Sequence, residues 1–149
     1  MATASPMDTL REIAEEALQD ATTQLGKMRQ ACAQAEAQLN QLINYELEYR
    51  QQLHQNMTSQ GMAATNWMNY QQFMTSLDRT LENHRQHVSQ CQQRVNLALT
   101  NWQEKKQRLN AFETLRDRAL AKQLHKENKL DQKMMDEYAQ RASMRKETR

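Results

Sequence analysis

The stretch of sequence that decides the fold is residues 14–53, AEEALQDATTQLGKMRQACAQAEAQLNQLINYELEYRQQL. Within it, twelve positions spaced alternately by four and three residues run from Ala14 to Leu53, and eleven are apolar or aromatic, with Glu46 the exception. A repeat of this spacing that persists for more than about four heptads is typical of coiled coils. Residues 14–53 therefore predict one helix of a coiled coil.

A second repeat of the same kind runs from Trp67 to Phe112, where twelve of fourteen positions are apolar or aromatic and His84 and Lys105 are the exceptions. The residues between the two repeats, TSQGMAATN at 58–66, contain Gly61 and no heptad pattern. We therefore predict an all-α, long antiparallel two-helix coiled-coil hairpin that forms a single rod over residues 1–149. Its parts are a helix at 6–57, a turn at 58–66 and a helix at 67–146.

The ends of the predicted helices have recognisable caps. Ser5 suits the N-cap of the first helix, since Pro6 follows at the first helical position and Asp8 stands three residues later. Thr65 and Asn66 are the N-cap candidates of the second helix.

Folding back near Gly61 pairs residues whose numbers add up to about 123. Cys32 then lies opposite Cys91, and two of the three exceptions, Glu46 and His84, fall in two weak layers. The second helix is longer than the first, so residues beyond about 117 have no partner in the chain and form a C-terminal helical overhang. An isolated helix is marginal in water, and this part is expected to fray.

Composition limits the classes of protein that fit. Only 38% of the 149 residues are hydrophobic, mean hydropathy is −1.02, and there are two Gly and one Pro. No run of 18 apolar residues occurs, so no membrane insertion is expected. The two cysteines are too few for a disulfide framework, and a reducing, cytoplasmic location is the default. Their simplest interpretation is two small core residues, with a redox-sensitive pair as the alternative.

Motifs of catalysis are missing from the sequence. It contains no Gly-rich phosphate loop, no nucleophile elbow and no HExxH motif, and its four histidines do not combine with cysteine at metal-ligand spacing. We expect a protein that is not an enzyme and holds no cofactor or metal. Residues 103–149 carry 13 basic and 8 acidic residues, but the two signs are mixed, which disfavours nucleic-acid binding.

Some apolar residues exceed what the heptads require. A stripe at i, i+4, i+7 and i+11 comprises Gln38, Leu42, Tyr45 and Tyr49 on the first helix, and the spacing recurs on the second at Phe73, Leu77, Thr80 and His84. The predicted register brings both sets to the same height. A slightly wider core is one interpretation; an exposed aromatic stripe more often binds a partner. We call these eight residues the central surface.

Particular stretches resemble the FliJ family of the flagellar type III export apparatus. They are the run Tyr45-Glu46-Leu47-Glu48-Tyr49-Arg50, the run Asn69-Tyr70-Gln71-Gln72-Phe73 and the segments 34–39, 102–109 and 131–142. The similarity spans essentially the whole chain in the same order. A generic coiled coil would not share the NYQQF run. The alternative functions are a generic structural coiled-coil scaffold and, less favoured, a basic-helix nucleic-acid binder.

The resemblance implies a cytoplasmic stalk protein, peripheral at the cytoplasmic face of the inner membrane. Its terminal end would enter the hexameric export ATPase, and its coiled coil would contact the export-gate membrane protein and export chaperones. The family's gate-binding surface maps onto the central surface, where Thr80 departs from the smaller apolar residue that the family often has. The ATPase contacts would involve a terminal surface, defined as Leu10, Ile13, Leu120, Leu124, Met134 and Tyr138.

Overall fold

The structure is a computed structural model that describes residues 5–147, and in this range it contains two helices. Helix α1 runs over Pro6–Ser59 and helix α2 over Ala64–Glu147. The two helices pack against each other in antiparallel directions. The prediction of an all-α, two-helix hairpin is therefore confirmed.

Helix α1 begins as the sequence predicts. The backbone N–H of Asp8 donates a hydrogen bond of 3.2 Å to the Ser5 hydroxyl, and the N–H of Thr9 donates one of 3.2 Å to the Ser5 carbonyl. Ser5 is thus the N-cap, because its side chain satisfies an N–H group that has no acceptor within the helix.

The turn is shorter than the 58–66 segment predicted. Thr58 and Ser59 remain helical, and their hydroxyls donate hydrogen bonds of 2.9 and 2.7 Å to the carbonyls of His54 and Gln55. The chain reverses at Gly61, whose φ of +66° lies in the left-handed region. Helix α2 then begins at Ala64, and the Trp67 N–H bonds to the Ala63 carbonyl. The prediction of Thr65 or Asn66 as N-cap was wrong, since both lie inside the first turn.

The two glycines should respond oppositely to alanine. Gly61→Ala is expected to destabilise the protein by about 1–2 kcal/mol, because an L-residue is strained at positive φ. Gly26→Ala should stabilise it by about 0.5–1 kcal/mol, because Gly26 is helical and its Cβ would meet nothing within 4 Å. Urea unfolding measures both. A stabilising Gly61→Ala would show that the turn can relax to a negative φ.

The chain divides into two compact units. The central unit comprises residues 18–104, and the described part of the terminal unit comprises residues 5–17 and 105–147. In the central unit, the buried residues Cys32, Ala35, Val88 and Cys91 form one cluster. Their pairing across the hairpin agrees with the predicted register, in which residue numbers add up to 123.

Other contacts of the central unit agree with the same register. The Trp102 indole N–H donates a hydrogen bond of 2.9 Å to the Thr22 hydroxyl, next to the Ala21 position that the register places opposite Trp102. All twelve positions of the first heptad repeat are buried or half-buried, and of the second repeat only Trp67 is exposed. The heptad spacing therefore identified the packed face of each helix.

In the terminal unit, the buried residues are Ala14 on α1 and Leu109 on α2. Every residue from 113 to 147 is exposed. This confirms the C-terminal helical overhang, which begins a few residues earlier than predicted. Over residues 5–147, neither helix contains a stretch long and apolar enough to cross a membrane.

Candidate functional site

Four aromatic side chains meet on one side of the central unit. The ring of Tyr49 lies 5.1 Å from that of Tyr45, 6.3 Å from that of Tyr70 and 4.6 Å from that of Phe73, measured between centroids. Tyr45 and Tyr49 are one helical turn apart on α1, and the other two belong to α2. The pKa of the Tyr49 hydroxyl is raised, first by its hydrogen bond with Tyr45, then by the electrostatic effect of Tyr45, and last by the burial of Tyr49 itself. We call these four residues the aromatic cluster.

The members of the cluster differ in exposure. Tyr45 and Phe73 are exposed by 45% and 38%, which is unusual for large aromatic side chains in a small protein. Tyr49 and Tyr70 are half-buried. Tyr49 thus belongs both to the packed heptad face and to the aromatic cluster. Its ring contacts the two exposed rings, those of Tyr45 and Phe73.

The remaining positions of the central surface divide in the same way. Gln38 and Thr80 are exposed, and Leu42 and His84 are half-buried. Leu77 is only 8% exposed and belongs to the core. The Thr80 hydroxyl donates a hydrogen bond of 3.0 Å to the Ser76 carbonyl, so it is occupied within its own helix.

A shallow groove joins four of these residues. Gln38, Leu42, Tyr45 and His84 line it together with Gln41. The Nδ1 atom of His84 is buried and has no hydrogen-bond partner in the structure. Because a buried polar atom without a partner costs free energy, His84 marks a weak layer of the packed face beside this groove.

Glu46, which the register placed in a weak layer, forms an ion pair. The Glu46 carboxylate lies 2.7 Å from the Arg50 guanidinium, which also lies 3.7 Å from the Asp78 carboxylate. Arg50 thereby links α1 to α2 beside the aromatic cluster. Since the Arg50 and Asp78 side chains are exposed, their contribution to stability is small.

The terminal surface is brought together only in part. Leu10 and Ile13 are exposed and line a groove with Ala14, Ala17 and, from α2, Lys105, Arg108 and Phe112. Leu120, Leu124, Met134 and Tyr138 lie further along α2 in the overhang, where all four are exposed. Arg11, next to this groove, has a buried Nε atom without a partner and an ion pair of 3.8 Å with Glu15.

Sequence reasoning missed three polar or charged residues of these grooves. They are Gln41 in the central groove and Lys105 and Arg108 in the terminal groove. One signal was present: Lys105 occupies a heptad position that is otherwise apolar. A cation at such a position marks a place where the packed face opens to solvent.

Among residues 5–147, no group of three or more His, Cys, Asp and Glu side chains is arranged to hold a metal ion. The described features are instead apolar and aromatic side chains at the surface, bordered by amides and one imidazole. Such a surface has the composition of the centre of a protein–protein interface, where aromatic residues are enriched and charges are depleted.

The fold and the site define an all-α helical hairpin that presents an aromatic cluster on its central unit. Comparison with known proteins gives the family: the family model described as "Flagellar FliJ protein" matches residues 3–148. The chain is 50% identical to the flagellar FliJ protein of Salmonella typhi over 146 residues, which cover 98% of this chain and 99% of that protein. It is 49% identical to the flagellar FliJ protein of Escherichia coli strain K12 over the same shares. The chain belongs to the FliJ family.

Proposed function

We propose that this protein is a non-enzymatic coupling stalk of the flagellar type III protein export apparatus, at the cytoplasmic face of the inner membrane. Its terminal unit enters the hexameric export ATPase. Its central surface binds the export-gate membrane protein. Contact of the hairpin with export chaperones rests on the family resemblance alone.

The observation that carries the proposal is the exposure of Tyr45 and Phe73 in the aromatic cluster. Both rings remain accessible although the heptad face a few residues away is well packed. Folding alone gives no reason to leave two large aromatic side chains in water. A partner that covers them would gain the burial of their apolar area.

The overhang supports the ATPase part of the proposal. Residues 113–147 would extend about 50 Å at 1.5 Å per residue, and all of them are exposed. Large apolar side chains occur along this length, including Leu120, Leu124 and Met134. A helix that buries nothing in its own chain gains stability when a surrounding protein covers it.

Hydrogen exchange tests this. In the free protein, amides of residues 113–147 should exchange at least tenfold faster than those of residues 77–102, because fewer contacts oppose local opening. Addition of the hexameric export ATPase should slow exchange in the overhang and leave the central unit unchanged. Protection of the free overhang equal to that of the central unit would show that it already has a partner, such as a second copy.

A matched pair of substitutions separates binding from helix propensity. Leu124→Asp places a charge on the overhang, and Leu97→Asp places the same charge on another exposed leucine of α2, in the central unit. Leu124→Asp should weaken co-purification with the ATPase by tenfold or more, about 1.4 kcal/mol, and Leu97→Asp should not. Equal effects of the two would contradict insertion of the overhang.

A further inference from the structure

Two cysteines lie in one buried cluster of the central unit. Cys32 on α1 and Cys91 on α2 are both buried, both carry free thiols, and share the cluster with Ala35 and Val88. We call these four residues the cysteine layer. All four side chains are small, which allows two helices to approach closely.

Each thiol has its own polar neighbour. The Cys32 thiol donates a long hydrogen bond of 3.7 Å to the Glu36 carboxylate, which also accepts one of 3.3 Å from the Gln92 amide. The Cys91 sulfur lies 3.8 Å from the Nε2 atom of His87. Two cysteines that served only to fill space would need neither neighbour.

The groups beside the two thiols differ in chemistry. Burial, then the Glu36 carboxylate, then Cys91 raise the pKa of the Cys32 thiol. Beside Cys91 lies the imidazole of His87, which accepts a proton from the thiol in the tautomer whose Nε2 carries no hydrogen. His87 is exposed and can pass that proton to water.

The layer is reachable from solvent. Cys32 lines an open groove with Arg29, Ala33, Glu36, Gln92, Val95 and Asn96. Such a groove admits a small oxidant to the Cys32 side of the layer. On the other side, the exposed ring of His87 leads to the Cys91 sulfur, which lies 3.8 Å from its Nε2 atom.

We propose that Cys32 and Cys91 form a redox modification site, at which hydrogen peroxide converts the two thiols into a disulfide between α1 and α2. Cys91 gives its proton to His87 and attacks one peroxide oxygen, the O–O bond breaks, and the leaving hydroxide takes up a proton to become water. Cys91 is then a sulfenic acid. The Cys32 sulfur attacks the Cys91 sulfur, the S–O bond breaks, and the hydroxyl group leaves as a second water with the Cys32 proton. Two thiols and one peroxide thus give one disulfide and two waters.

The crosslink would act on the unit that carries the central surface. It closes a loop from residue 32 to residue 91, which contains the turn and the whole central surface. Cross-linking removes conformations from the unfolded chain, so the oxidised hairpin opens less readily. Disulfides in a reducing compartment are transient and serve as sensors. The inference does not depend on the proposed export function.

The test uses the purified full chain at micromolar concentration, treated with increasing hydrogen peroxide. Non-reducing electrophoresis and intact mass should show a monomer that has lost two hydrogens, in more than half of the molecules, and dithiothreitol should reverse the change. Peptide mapping should find residues 32 and 91 linked. Cys32→Ser and Cys91→Ser, which keep nearly the same volume, should each abolish the intramolecular product.

Two further measurements separate this site from adventitious oxidation. His87→Gln should slow crosslinking about tenfold or more without lowering Tm, since it removes only the proton acceptor. The oxidised wild type should melt at a higher temperature than the reduced protein. Intermolecular dimers or sulfinic acids in place of the internal disulfide, or an oxidised form with a lower Tm, would overturn the proposal. An unchanged rate in His87→Gln would overturn the role of His87.

Discussion

Replacing Tyr45 or Phe73 by alanine is expected to weaken binding to the proposed partner, the export-gate membrane protein, by about 2 kcal/mol or more, roughly thirtyfold. The physical reason is that each side chain places an exposed ring on the aromatic cluster, where a partner would bury it. Folding should change little, by about 1 kcal/mol at most, which is the value of one contact between aromatic rings. Pull-downs with the gate protein, run beside thermal melts, measure the two effects separately.

Tyr138→Ala is the matched control for Tyr45→Ala. Tyr138 is also exposed, but it lies in the overhang of the terminal unit. Its removal should leave gate binding intact. If Tyr45→Ala and Phe73→Ala unfold the protein while residual binding persists, these rings are core and the central surface is wrongly assigned. Tyr49→Ala is expected to affect both measurements, because Tyr49 is half-buried beneath the other two rings.

Leu81→Ala should be among the most destabilising single substitutions, with a loss of about 2–5 kcal/mol in the free energy of unfolding. Leu81 is 1% exposed, so truncation leaves a cavity in a well-packed layer. Leu97→Ala is its control, because it makes the same change on the same helix at a side chain that is 72% exposed. Its effect should stay within about 0.5 kcal/mol. Urea unfolding of both variants gives the comparison.

Similar losses for the two leucines would contradict the packing described for the central unit. Leu25→Ala provides a second core position on α1, since Leu25 is also buried. It should behave like Leu81→Ala and not like Leu97→Ala.

Much of the fold could be predicted from the heptad spacing, and the reason is geometric. In a two-helix hairpin each residue faces either the partner helix or water, so spacing along the chain determines the packed face. Two of the three exceptions, Glu46 and His84, show how a polar residue is held in the packed face. Glu46 is kept in the packed face by Arg50, and His84 keeps a buried nitrogen without a partner.

The turn was less accurately predicted. Loss of the heptad pattern suggested that residues 58–66 leave the helices, but a helix can continue without burying a face. Hydroxyl groups of Thr58 and Ser59 bond to carbonyls of the preceding turn, so the helical backbone persists until Gly61 permits the reversal. The heptad pattern indicates which residues are buried, whereas backbone conformation decides where a helix ends.

The positions of the central surface could be predicted from the sequence, but the exposed fraction of each of its side chains could not. Helical spacing and the register together predicted that Tyr45, Tyr49 and Phe73 lie at the same height, and in the structure the Tyr49 ring contacts the rings of the other two. Heptad spacing places Leu77 and His84 alike in the packed face, and it could not show that Leu77 is buried while His84 is only half-buried. That difference depends on how close α1 comes to each side chain.

The sequence by itself determined the two helices, the face that each buries, the register in which they pair and the family to which the chain belongs. These follow from the period of the helix and from the order of residues, both of which are local properties of the chain. Only the tertiary structure decided which aromatic rings remain in water, that Lys105 and Arg108 border a groove, and that Cys32 and Cys91 have different polar neighbours. Each of these depends on the distance between side chains of two helices, and that distance is set by the packing of every layer between them.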